Sequence, residues 1–422
     1  MFHIDLEAGK ILDWAWEVAR KYLASTSMDA LREKARNVDA EAHYNIGFMY
    51  YGGYNVKKDY AEAIRWWLGS ANKGYAPAQL ALGCAYHEGI GTLQNYAEAM
   101  KWYSKAAEQG FTSAQFALAT MYVNGEGVRQ DYSEAAKWLR KAAERGHAQA
   151  QNSLGDMYFH GYGVQLNEAE AFRWYQKSAE QGYSKAQLSL RYMYEYGLGV
   201  EQNLSEALKW WRKYAENGDA HTQYELGGMY ALAHQDYSEA FIWWTKAANQ
   251  GYAPAQNSLG SMYKNGIGIR QNYSEALRWY RKAAQQGNAE AQNNLGMMYY
   301  NCEGMSKDSL EAEKWFRKAA EQGHAEAQFY LGIIYHVGDG VMKDSVEAEK
   351  WLRKAAEQGL AKAQTGLGFM YYNNVFARIL TARRDQKADA RDQSEAIKWF
   401  RKAAQQGDSD AMDVLRQLGE SW

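Results

Sequence analysis

Nine histidines, two cysteines and a series of Gly-x-Gly elements are the groups in this 422-residue chain best suited to acid–base, nucleophilic, metal or phosphate chemistry. Their spacing supplies none of these. The chain has no His-Glu-x-x-His and no Cys-x-x-Cys, and elements such as Gly125-Glu126-Gly127 join helix to helix without the strand that a phosphate loop requires. His87-Glu88 and His160 come nearest to an acid–base or metal set, and each stands alone. Cys84 and Cys302 are separated by six repeats of a pattern whose contacts are mainly local, so the fold is expected to stand without disulfides. The expectation is a protein that is no enzyme, takes no metal or cofactor, and works by recognition.

Bulk composition narrows what is recognised. Forty-eight Lys plus Arg against 50 Asp plus Glu leave a net charge of −2, which argues against nucleic acid as the partner. The opening residues Met1-Phe2-His3-Ile4-Asp5-Leu6-Glu7 carry acid where a secretory leader needs base. No later apolar run approaches the roughly 18 residues of a membrane span. A cytoplasmic location is therefore expected.

The elements that must position any binding residues come from a repeated sentence. Gly74, Gly110, Gly146, Gly182 and Gly218 recur every 36 residues, then Gly251 comes three residues early, Gly287, Gly323 and Gly359 restore the interval, and Gly407 comes twelve late. A fixed period of this size marks a solenoid, in which no unit buries its apolar face without a neighbour. Within residues 112–146 the stretch Ala114 to Asn124 reads as one helix, with Ala114, Leu118 and Tyr122 on a single face. Gly125 and Gly127 break it, and in the first repeat Asn55 stands at the Gly127 position as the next most tolerant residue of positive φ. A second helix starts at Asp131, where Glu134 completes a capping box. The same pair recurs as Asp59/Glu62, Asn95/Glu98, Asn167/Glu170, Asn203/Glu206, Asp236/Glu239, Asn272/Glu275, Asp308/Glu311, Asp344/Glu347 and Asp392/Glu395.

Ten tryptophans share one place in the second helix, from Trp66 through Trp138 to Trp399, and ten tyrosines share one near the end of the first, from Tyr50 through Tyr122 to Tyr371. Strict repetition at fixed phase argues for packing, because every unit must solve the same packing problem while a binding site need be solved once. The tyrosine hydroxyls are expected to reach backbone partners.

With Asp131-Tyr132-Ser133-Glu134-Ala135 and Ala289-Glu290-Ala291-Gln292-Asn293-Asn294-Leu295-Gly296 in place, the chain resembles the Sel1-like repeat family, relatives of the tetratricopeptide repeats. The resemblance implies an all-α, right-handed α-solenoid superhelix of ten two-helix repeats that acts as a scaffold or adaptor for other proteins. The organisation expected is an N-terminal helical cap over residues 1–39, one array over 40–407 and a C-terminal capping helix over 408–422. The array has a short repeat at 219–251 and an insertion at about 373–393. The cap is read as one amphipathic helix with Ile4, Leu6, Ile11, Leu12, Trp14, Val18, Tyr22 and Leu23; at the far end Trp422 is expected to cover the last apolar face.

In the related tetratricopeptide fold the first helices line a concave groove. Positions there that vary from repeat to repeat bring forward Tyr44, Phe48, Tyr51, Phe116, Asn152, Asp156, Phe159, Tyr192, Tyr224, Asn257, Lys264, Asn293, Tyr300, Phe329, His336, Phe369 and Tyr372 as candidate partner-binding residues. Aromatics and Asn suit a protein partner or an extended peptide, since carboxamides clasp backbone amides and rigid rings supply area. In the insertion, Arg378, Arg383, Arg384, Lys387 and Arg391 form a basic cluster, expected as a loop or as a contact for an acidic partner. The function expected is a non-enzymatic interaction scaffold. A bacterial immunity or regulatory protein for one toxin or signalling partner is the narrower alternative, and a cell-wall or β-lactam-directed hydrolase is the alternative of a different class.

Overall fold

The repeated sentence becomes pairs of short helices because each half carries its own start and stop. In the computed structural model, second helices such as Tyr96–Glu108 begin where the Asn95 side chain accepts from the backbone N–H groups of Ala97 and Glu98, both at 3.1 Å. First helices such as Thr112–Asn124 end on a left-handed glycine, Gly125. Asn55 takes the same left-handed conformation at φ 56°, which is the tolerance its place demanded. The structure describes all residues except Met1, Phe2, Ser25, Val38, Met305 and 381–384, and leaves aside the side chains of Phe376, Ile379 and Leu380. The described residues form 23 helices and no strand.

Two compact units divide the chain, Met1–Tyr214 and Ala215–Trp422. In the first, helix Ala76–Glu88 packs on its partner Tyr96–Glu108 and on the preceding Tyr60–Ala71. In the second, Ala289–Tyr300 packs in the same way on Ser309–Glu321 and Tyr273–Gln285. Trp102, Trp174, Trp243, Trp351 and Trp399 are buried, with Trp66, Trp138 and Trp315 half-buried. Each is a packing residue, and for all of these but Trp66, which has Gly69 at that place, a lysine one turn on roofs the outer face, as Lys141 does over Trp138 at 3.8 Å.

A buried glutamine staples consecutive repeats. Gln79 donates to the Ala71 carbonyl of the repeat before and accepts from Gln109 of its own repeat. Gln292 repeats this in the second unit, with Ala284 and Gln322. The helical glycine four residues after Gln79 and after Gln292 lets an aromatic ring approach: a Cβ on Gly83 would stand 2.4 Å from the Tyr103 ring, and one on Gly296 2.8 Å from the Phe316 ring.

Four expectations need correction. The capping box is only half made: the Asx side chain caps, but Glu98 turns to Lys101 at 3.0 Å and the Asn95 N–H donates to the Tyr86 carbonyl at 2.8 Å. A cation one turn away outcompetes a return to the cap. Where recurrent tyrosine hydroxyls find partners these are side chains, as in Arg281 to Tyr299 at 2.9 Å and the Arg317 and Glu313 pair on Tyr335. Asp392 does not begin a helix; it lies buried inside Gln386–Ala404, and the cap is Asp385. Trp422 is exposed, while Ala411 and Leu415 do the burying in the terminal helix Ser409–Gln417.

The insertion lengthens both helices of the last pair, to Ala361–Leu380 and Gln386–Ala404. Arg378 is bonded to Asp389 at 2.7 Å and Asp392 at 2.8 Å, so this part of the basic cluster is neutralised internally. Arg383 and Arg384 lie outside the described residues.

Candidate functional site

First helices place the variable positions one and two turns apart on one side, and the two units treat that side differently. In the first unit, the segment ahead of the repeats is an extended stretch, a helix Ala8–Leu23 and a helix Met28–Arg36. It is not the single amphipathic helix that its sequence suggested. Met28–Arg36 packs on the first helix of the first repeat, Ala40–Gly52; Ala8–Leu23 reaches past it to Ala76–Glu88 as well. Ile4 reaches further, to the end of Thr112–Asn124, where its N–H donates to Asn124 Oδ1 at 3.2 Å and its carbonyl accepts from Asn124 Nδ2 at 3.0 Å. The Ile4 side chain packs among Phe116, Ala119 and Val123.

Four candidate residues take structural roles here. Phe48 is fully buried, edge-on to Trp67 and to Tyr44. Tyr51 is buried with its hydroxyl donating to Asp13 at 2.7 Å, and Phe116 is stacked on His147 at 4.9 Å. Burial pulls the His147 imidazole down to about 4, so it is neutral at neutral pH. Its Nδ1 accepts from Ala150 N–H at the start of Ala148–His160. Asn124, which grips the N-terminal segment, is not among the candidate residues, although it stands on the same variable face, second after the recurrent Tyr122. A carboxamide at the last residue of a first helix was the available cue.

Asn152, Asp156, Phe159 and Tyr192 do come together. With His160, Tyr175 and Leu188 nearby, Asp156, Phe159 and Tyr192 line a pocket of about 300 Å³. Asp156 Oδ1 accepts from Tyr175 at 2.7 Å and Oδ2 from Asn152 at 3.0 Å. Burial raises the Asp156 carboxyl above its ordinary value, opposed by the Tyr175 hydrogen bond. Asn152 Oδ1 is buried with no hydrogen-bond partner. The rim is apolar and open: Tyr192 is 49% exposed and Leu188 40%.

In the second unit the candidates scatter among several roles. Tyr224 stacks on Trp244, Asn257 accepts from Asn294 at 3.0 Å, and Phe369 lies edge-on to Phe400. Lys264 pairs with Glu303 at 2.9 Å. Lys307 sits 4.9 Å over the ring of Tyr300, which neighbours Tyr330, as does Phe329. Asn293 Oδ1 and His336 Nδ1 are buried without partners. Tyr372 is exposed.

His87 is held by Glu126 at 3.0 Å and Glu88 at 3.4 Å. Burial alone would lower its imidazole, and the two carboxylates outweigh that and raise it. His160 bonds the Asp156 carbonyl. Among the described residues no group of three His, Cys, Asp or Glu could hold a metal ion, and no helix is long and apolar enough to cross a membrane. Cys84 and Cys302 are both free thiols.

A sequence profile described as "Sel1 repeat" matches residues 40–75, 76–111, 112–147, 148–183, 184–219, 220–252, 253–288, 289–324, 325–360 and 389–408. The chain is similar to a protective antigen of uropathogenic Escherichia coli with an SLR fold. Identity is 33%, over 99% of this chain and 98% of that one, with a TM-score of 0.59. It is also similar to a Sel1 repeat protein from Oxalobacter formigenes, at 32% identity over 82% and 91% with a TM-score of 0.37. An immunity protein from Pseudomonas aeruginosa matches at 23% over 51% and 82% with a TM-score of 0.29. No curated protein matches.

Proposed function

The chain belongs to the Sel1 repeat family, and from that premise we propose that it is a non-catalytic scaffold that binds a segment of a partner protein on its first-helix face. The observation that supports this reading best is the pocket at Asp156. An ionised carboxylate has about four acceptor positions, and two are taken by Tyr175 and Asn152. The remaining capacity faces a cavity rimmed by Leu188, Tyr192 and Phe159. That combination suits a side chain with an apolar stem and a cationic head, a lysine or arginine of the partner, its stem lying on the rings.

The test is affinity purification from the native source with the unaltered chain, Tyr192→Ala and Asp156→Asn in parallel. The expected outcome is a partner recovered at near-stoichiometric yield with the unaltered chain and lost with both variants. Equal recovery with all three removes the pocket from the reading. No recovery with any of them counts against the scaffold itself.

A further inference from the structure

The N-terminal segment is seated by three residue-specific fits, one on the third repeat and two on the first. Asn124 clasps both backbone groups of Ile4, the two-point grip by which a carboxamide holds any extended chain. Tyr51 donates to Asp13. Gly52 makes room for Trp16: a Cβ there would stand 2.2 Å from the indole. At the place of Gly52 the next four repeats carry Glu88, Asn124, His160 and Tyr196, so the opening exists only where Trp16 lies.

The seat is shallow. Helix Ala8–Leu23 buries mainly Ala8, Leu12, Ala19 and Leu23, and it leaves Trp14 68% and Val18 51% exposed. Extended backbone under an Asn clasp, followed by an amphipathic helix laid across other helices, is how a separate ligand chain would bind such a face. We propose that residues 3–23 are an internal ligand of the first unit, a removable cover on its first-helix face. A partner that uses this face competes with the cover for Asn124, Tyr51 and the Gly52 opening. The tether sets the terms of that competition, since a segment on a short linker acts at an effective concentration on the order of millimolar. The cover therefore stays seated even if its intrinsic affinity is only micromolar, and a weak competitor is excluded.

The seat uses Tyr51, Gly52 and Asn124, none of which lines the Asp156 pocket, so its failure leaves the Tyr192 test as it was. The experiment uses a fluorescent peptide of residues 3–24, the full chain, and a chain starting at residue 25. The shortened chain should bind the peptide saturably and at least about tenfold more tightly than the full chain does, because only there is the seat free. Asn124→Ala in the shortened chain should weaken binding about fivefold or more, the cost of the clasp. A folded shortened chain that binds no better than the full chain overturns the proposal. If the shortened chain does not fold, hydrogen exchange on full-length Asn124→Ala/Tyr51→Phe decides. A cover predicts faster exchange at residues 4–14 with Ala40–Gly52 and Ala76–Glu88 unchanged. Unchanged exchange at 4–14, or matching acceleration in those two helices, shows a core element and overturns it.

Discussion

The two units are built from the same repeat and present the same positions on their first helices, yet those positions have different fates. In the first unit Phe48, Tyr51 and Phe116 are buried and Asn124 is engaged with Ile4. In the second, Tyr300 and Phe329 are only half-buried, Tyr372 is exposed, and Asn265 and Asn301 stand exposed at the place of Asn124. His147 and His324 also share a place as helix N-caps. His147 stacks on Phe116, whereas His324 bonds Glu290 at 2.9 Å. What distinguishes them lies outside the repeated pattern, in the residues that happen to stand against each one. A repeat thus defines where a side chain sits, and the non-repeated neighbours define what it does.

The largest test of this contrast is Leu12→Ala. Leu12 is fully buried by the first unit, and its truncation should cost about 3 kcal/mol of seating. Residues 8–23 should then exchange on the order of a hundredfold faster by mass-spectrometric hydrogen exchange, with Ala253–Asn265 and Ala325–Val337 unaffected. Loss of protection in those helices of the second unit breaks the comparison.

Acid should separate the units next. The folded pKa of His147 is about 4 against an unfolded value of about 6.5, so between these values the unfolded chain binds more protons. Stability is therefore full above about pH 6.5 and is lost as pH falls toward 4, by about 2.5 kcal/mol at pH 4.5. The Glu290 carboxyl is held below its ordinary value by the His324 hydrogen bond, so its contribution is present above the ordinary carboxylate range and is lost as pH falls through its depressed value. Opening of Ala148–His160, read as exchange relative to the intrinsic rate at pH 7 and 4.5, should rise more than that of Ala325–Val337. His147→Asn, the residue that caps the same place as Asn288, should remove the difference. An unchanged difference in the variant assigns the acid sensitivity elsewhere.

The smallest effect sharpens the comparison from the other side. Lys141 and Lys318 lie over Trp138 and Trp315 at 3.8 Å and 4.1 Å in the two units. Lys141→Ala and Lys318→Ala should each cost about 0.5 kcal/mol in urea unfolding, because contacts within the repeat are the same in both. Unequal losses would show that even the repeated contacts are set by their unit.

The repeat was open to sequence reading because its determinants are local. Asn95 and Gly125 act within a few residues, and the tryptophan stripe needs only the period of a helix. Asp392 misled because the cap pattern holds only if a helix starts there. The absence of Gly and Pro from 373–393 was the better cue, since it leaves both helices of the pair free to run on into the inserted residues. At the candidate site, the sequence marked Asn152, Asp156, Phe159 and Tyr192 as sharing a face. That Asp156, Phe159 and Tyr192 make one cavity with Tyr175 depends on how neighbouring helices cross.

By itself the sequence determined the all-α repeat, its caps and its packing residues, because each is enforced by neighbours within one helical turn or one period. The seat of the N-terminal segment was a tertiary decision. An amphipathic helix states that it must cover an apolar face without stating which face. Ile4 meets Asn124 across 120 positions of chain, through backbone groups that every residue carries and no pattern of side chains records.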